Sequence, residues 1–118
     1  MDFTNEQKQA IYTRGTNLIV SAGAGSGKTA VLSERILQML CDGYDISRLL
    51  VLTFTNAAAL EMKTRIKKKV SKVPSLSEQV SKIDSAYITT FDAFALSLVK
   101  KYHYLLGISK DLTIADGV

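Results

Sequence analysis

Residues 17–32 read NLIVSAGAGSGKTAVL, and the reading of the whole chain turns on them. An apolar run leads into a glycine-rich loop, the loop ends in Lys28-Thr29, and a new apolar pattern at helical spacing begins there. Residues 22–29, AGAGSGKT, meet G-x-x-x-x-G-K-[ST] at every position but the first, where Ala22 stands. Gly23, Gly25 and Gly27, with Ala24 and Ser26 between them, let the backbone wrap an anion without side-chain clashes and turn several N–H groups inward. A helix starting at Lys28 adds its positive dipole end. Lys28 can reach the β- and γ-phosphates, and the Thr29 hydroxyl can ligate Mg²⁺. A flexible glycine turn would not explain a Lys-Thr pair at the helix start. The spacing predicts a nucleoside-triphosphate site.

Working outward, apolar runs alternate with helical patterns. Thr4 and Gln7 fit a capping box that starts a helix running to about Arg14. Asn17 to Ser21 reads as a short strand. A helix is predicted from Lys28 to about Cys41, with Val31, Leu32, Ile36, Met39 and Leu40 on one face and Asp42-Gly43 ending it. Leu49 to Phe54 (LLVLTF) is an apolar strand of the kind buried on both faces. Ala59, Met62, Ile66 and Val70 then mark a helix, closed by Pro74. Ser75 to Ile83 fits a short helix with its own box, Ser75 and Glu78. Ala86 to Thr90 is a third strand. Phe91, Phe94, Leu98, Tyr102 and Leu105 form a helical stripe up to Gly107, and Leu112 to Ala115 is a possible fourth strand. Such alternation predicts an α/β fold with parallel strands and right-handed crossovers.

At 118 residues, 47% of them hydrophobic and 22% charged, the chain is expected to be one globular domain or a piece of one. Its single cysteine, Cys41, rules out an internal disulfide and is expected to be a buried thiol. One cysteine and one histidine cannot make a zinc site. The opening MDFTNE is not a signal peptide, and no apolar run nears the roughly 18 residues needed to cross a bilayer. The expectation is a cytoplasmic protein with no membrane partner. The net charge is +4. Lys63, Arg65, Lys67, Lys68, Lys69 and Lys72 fall close together, which suits a polyanion partner or, equally, a solvated helix face.

Four blocks, FTNEQKQAI (3–11), AGAGSGKT (22–29), VLTFTNAAALEM (51–62) and ITTFDAF (88–94), resemble in order and spacing the superfamily I DNA helicases of the UvrD/Rep type. The resemblance covers almost the whole chain, and Ala22 in place of the first glycine is usual in that family. It implies a RecA-like P-loop NTPase fold, a parallel sheet flanked by helices, with residues 1–118 forming the N-terminal part of the ATP-binding domain. The implied cofactors are ATP and Mg²⁺. The implied partners are single-stranded DNA, single-strand/duplex junctions and the remaining helicase domains of the parent chain.

Residue by residue, the first block looks like the family's Q motif, in which a glutamine, here Gln7, hydrogen-bonds adenine. An amide carries a donor and an acceptor side by side, matching adenine N6 and N7; serving its own helix through the capping box is the other reading. The third block looks like motif Ia, with Phe54, Thr55 and Asn56 as DNA contacts. Hydroxyls and an amide at a strand-to-helix junction can bond phosphates, though Thr55 or Asn56 could equally cap the helix. Phe54 is either a stacking face for a base or core. The fourth looks like motif Ib, with Thr90 and Phe91. It departs from the family pattern in having Asp92 where histidine is common and Ala93 where serine is common. An acid beside a phosphate is repelled, so Asp92 is expected to cap its helix instead. The basic cluster, on the helix after motif Ia, would add salt-dependent, sequence-independent affinity.

A phosphate-cleaving motor also needs a carboxylate pair and a transition-state arginine. No adjacent acid pair occurs in the chain, and Asp116-Gly117 after the last apolar run reads as a strand end. The expectation is therefore a helicase segment that does not hydrolyse ATP or unwind DNA by itself, within a parent acting in repair or recombination. A small phosphotransferase is disfavoured because no arginine follows Arg65. A nucleic-acid-binding module with a decayed loop is disfavoured by the intact Lys28-Thr29. An exposed apolar strand edge, favouring self-association, is also expected.

Overall fold

The computed structural model describes residues 2–18, 27–107 and 109. Within them the chain forms five α-helices and two parallel strands, an α/β arrangement: α1 (Asn5–Tyr12), α2 (Lys28–Cys41), β1 (Leu50–Thr53), α3 (Asn56–Ser71), α4 (Ser77–Ile83), β2 (Tyr87–Thr90) and α5 (Phe91–Leu106). Two 3-10 turns, Ile46–Arg48 and Pro74–Leu76, precede β1 and α4. Most of the predicted strand at 17–21 and all of that at 112–115 lie outside the described residues.

The centre of the molecule is α3. Its buried residues are Ala59, Met62, Ile66 and Val70, as the sequence spacing requires, and they meet α2, α4 and one face of the sheet. Ile36 and Leu40 of α2, Ile46, Val51, Leu76, Ile83 and Ile88 complete this core. The strands pair in register, Leu50 with Tyr87 through Thr53 with Thr90. Side chains alternate across a strand, so Val51, Ile88 and Thr90 share the face that is buried.

The other face corrects the expectation that β1 is buried on both sides. Leu50 and Tyr87 are each 47% exposed, and what meets that face among the described residues is α5, through Phe94 edge-on to the Tyr87 ring at 5.5 Å. The stripe of α5 is likewise not core: none of its residues is buried, and Leu98, Tyr102 and Leu105 are exposed. Periodicity names the apolar face of a helix without naming what covers it. Two further expectations change. Cys41 is exposed, because α2 turns Ser33, Ile36 and Leu40 inward and the next residue points about 100° away. The Ser75–Glu78 box does not form: Pro74 starts a 3-10 turn, and α4 begins at Ser77 without a side-chain cap.

Candidate functional site

Three helices begin with a threonine whose hydroxyl caps the first turn: Thr4 for α1, Thr55 for α3 and Thr90 for α5. α2 begins differently. Its N-cap is Gly27 at φ +79°, with no side-chain cap and no acidic residue in the first turn. The left-handed conformation is one that glycine adopts at little cost. The first N–H groups of α2 thus have neither an intrahelical acceptor nor a capping side chain, which fits an anion supplied from outside. Lys28 is exposed and Thr29 is half-buried beside it at this end. Ala22, Gly23, Ala24, Gly25 and Ser26 lie outside the described residues.

The α1 helix brings Gln7 to the same place. A Cβ built on Gly27 would stand 3.6 Å from Gln7 Nε2. The capping box is formed: Gln7 N–H donates to Thr4 Oγ1 at 3.2 Å, and Thr4 N–H donates to Gln7 Oε1 at 2.9 Å. This bond orients the amide, with the oxygen toward Thr4 and the nitrogen toward Gly27. The two sequence readings of Gln7 are therefore compatible, since a carbonyl oxygen has two lone pairs and can accept from more than one donor.

Sequence reasoning missed what holds α1. The helix ends at Tyr12, short of Arg14, and its C-terminal carbonyls are met by two guanidiniums. Arg35 Nη1 donates to Ala10 O at 2.7 Å and Thr13 O at 2.9 Å. Arg14 Nη1 donates to Ile11 O at 2.6 Å, and its Nε lies 3.6 Å from Asp42 Oδ2. The local sequence offers no signal for Arg35, because its acceptors lie in a different element, far away along the chain.

At the C-terminal ends of the strands, register sets Thr53 beside Thr90, and each strand is followed by an aromatic at the mouth of a helix. Phe54 is 90% exposed and Phe91 50% exposed, with ring centroids 5.4 Å apart and planes tilted by 32°. Phe54 is thus not core. Thr55, exposed, accepts from Ala58 N–H at 3.1 Å, and Asn56 is exposed beside it. Thr90 is buried, its hydroxyl accepting from Ala93 N–H at 3.0 Å. Thr90 therefore caps α5, and Asp92 is exposed in the first turn, where the helix dipole favours an acid.

The basic cluster divides. Lys69 bonds Glu34 at 2.7 Å and joins α3 to α2; Lys67 bonds Asp84 at 3.1 Å and Arg65 bonds Glu61 at 3.2 Å. Burial alone would raise the Glu34 pKa, but the bonds from Lys69 and Gln38 outweigh it and hold the pKa below the usual value. Among the described residues Lys68 and Lys72 form no ion pair. Also among them, no group of three or more His, Cys, Asp or Glu residues could hold a metal, and no helix is long and apolar enough to cross a membrane.

The UvrD/REP helicase N-terminal domain model matches residues 3–117. Several bacterial proteins described as ATP-dependent helicase/nuclease subunits are similar over nearly all of the chain. That of Pediococcus pentosaceus is 44% identical over 125 residues, covering 98% of this chain and 10% of its own length. That of Lactobacillus acidophilus is 46% identical over 120 residues, covering 95% and 10%. One from Heliobacterium modesticaldum is 45% identical over 121 residues, covering 97% and 9%. The chain thus spans about a tenth of the length of these curated relatives. A match over nearly every residue, around a left-handed glycine that opens a helix without a side-chain cap, has one consequence: the chain belongs to the UvrD/REP helicase N-terminal domain family.

Proposed function

We propose that this chain is the ATP-binding segment of a DNA helicase that translocates on single-stranded DNA and opens duplexes, in DNA repair or recombination in the cytoplasm. The observation that carries the reading is the start of α2: Gly27 left-handed, no side-chain cap, and the Gln7 amide within contact distance of a Gly27 Cβ. In this reading residues 22–29 hold the triphosphate, Lys28 pairs with its terminal phosphates, and the Thr29 hydroxyl holds Mg²⁺. When bound, the metal ion would neutralise charge developing on the phosphates. Gln7 accepts from adenine N6 through its carbonyl oxygen and donates to N7.

The paired aromatics Phe54 and Phe91 serve as a stacking platform for bases of a single strand. Such stacking tolerates any base, because every base has a π-face. Thr55 and Asn56, at the exposed mouth of α3, contact the phosphates, and Thr90 sets the position of Phe91 from below. Residues 1–118 then form the N-terminal part of a helicase ATP-binding domain and work with the remaining helicase domains of a longer chain. No adjacent acid pair is present in the sequence, so by itself this chain binds the nucleotide without hydrolysing it.

Photolabelling with 8-azido-ATP tests the assignment. Its azide sits beside N7, so the label should fall on residues 4–14 and be competed away by ATP. Label confined to other segments would refute the placement of the base against α1.

A further inference from the structure

Gln7 can read a base only if α1 stays in register on α2; two buried side chains and the Arg14 bond to Ile11 O help to hold it, and Arg35 adds a bond from α2 itself. The helix has eight residues, of which Ala10 and Ile11 are buried, and no basic residue in its last turn. A helix so short does not persist alone in water, and its last carbonyls need donors from elsewhere. Arg35 supplies them from the neighbouring helix, with one nitrogen shared between Ala10 O and Thr13 O at 2.7 and 2.9 Å.

The geometry ties this brace to the nucleotide end. Arg35 follows Lys28 by seven residues, two turns along α2 and so on the same stripe. Ala10 follows Gln7 by three and shares its side of α1. Gly27, Lys28 and Arg35 on one helix and Gln7 and Ala10 on the other therefore form a single unit whose register is set at its far end. The brace is not a low-energy use of charge: burial first, and then the neighbouring Arg14 guanidinium, push the Arg35 pKa below its usual value. A mid-helix arginine serving only solubility would avoid such a position.

We propose that Arg35 is a positioning residue for base recognition: by bracing the end of α1 against α2, it keeps the Gln7 amide beside Gly27, so that adenine is distinguished from guanine through a side chain that never touches the nucleotide. The inference rests on the reading of Gln7 as the adenine contact.

The test uses the 118-residue chain and the variants Arg35→Met, Arg35→Lys, Gln7→Ala and the double variant Gln7→Ala/Arg35→Met. Hydrogen exchange without nucleotide should show α1 amides in Arg35→Met exchanging about tenfold faster, the worth of one to two net hydrogen bonds, with α3 unchanged. Calorimetry should show the ratio of Mg-ATP to Mg-GTP affinity in Arg35→Met falling to that of Gln7→Ala. The double variant should fall no further. Arg35→Lys, which keeps the charge on a shorter reach, should lie between Arg35→Met and the parent chain. Unchanged α1 protection in Arg35→Met overturns the proposal, as does a nucleotide ratio retained there but lost in Gln7→Ala. A ratio retained in Gln7→Ala instead removes the adenine reading itself, and the Arg35 proposal with it.

Discussion

Phe54 and Thr90 show how differently neighbouring positions at the strand ends are used. Both follow or end an apolar strand, yet Phe54 is 90% exposed and Thr90 is 6% exposed. Removing the Phe54 ring should therefore leave folding almost untouched while weakening single-stranded DNA binding by about 1–3 kcal/mol. Fluorescence anisotropy with oligo-dT and mixed-sequence oligonucleotides would measure this, and an equal loss on both is expected. Loss of stability without loss of DNA affinity would return Phe54 to a structural role. Thr90→Ala should do the reverse, costing about 1 kcal/mol of stability through the lost cap, read as a shifted urea midpoint. The sequence raised two readings each for Gln7 and Phe54, and for Thr90 one, a DNA contact. For Gln7 the two readings are compatible through the two lone pairs of one oxygen; for Phe54 exposure removes the core reading, and for Thr90 burial withdraws the hydroxyl, which caps α5.

Among the elements, α3 was fully legible in the sequence, because four apolar residues at spacings of three and four leave only one face to bury. Ile66 is completely buried at its centre, so Ile66→Ala should destabilise the chain by about 2–5 kcal/mol in chemical denaturation; a shift below about 1 kcal/mol, less than such truncations cost in a packed core, would show that α3 is not the organising helix. The entry to β1 was less legible, since its support is non-local. Asp45 accepts from Ser47 N–H and Oγ at 2.9 and 2.7 Å, and from Lys82 of α4 at 2.8 Å. The bond from Lys82, followed by those from Ser47, holds the Asp45 carboxyl well below the usual carboxylate range. A depressed folded pKa means that this stabilisation is complete above the unfolded value of about 3.9 and is lost as pH falls from there through the folded one. Asp45→Asn should therefore be less stable than the parent chain at neutral pH, and the gap should close as pH falls below about 4. Urea melts across that range would show it; a gap constant with pH would contradict it. Pro74 displaced the expected box at Ser75 for a local reason, by starting a turn of its own. Arg35 and Asp45 could not be read in advance because their partners come from other elements.

Taken as one body, the chain has a core between α2, α3, α4 and one sheet face, and a second face that, among the described residues, α5 covers only in part. Leu50, Tyr87, Leu98, Tyr102 and Leu105, all exposed, make an apolar surface of a kind parallel sheets ordinarily bury. Self-association through this surface is expected: sedimentation should show a concentration-dependent mass, lowered by Leu98→Lys and Leu105→Lys together. A clean monomer at high concentration would argue against it. The fold class was legible because strand and helix periods differ; the extent of burial was not, because it depends on what lies against each face. The most direct test of the account as a whole is a calorimetric titration of the chain with Mg-ATP and Mg-GTP beside Lys28→Ala. Tighter binding of ATP than GTP, weakened in the variant by about 10- to 100-fold for the loss of a charge-assisted bond, is the predicted result. Binding that Lys28→Ala leaves intact, or no binding of either nucleotide, would contradict it.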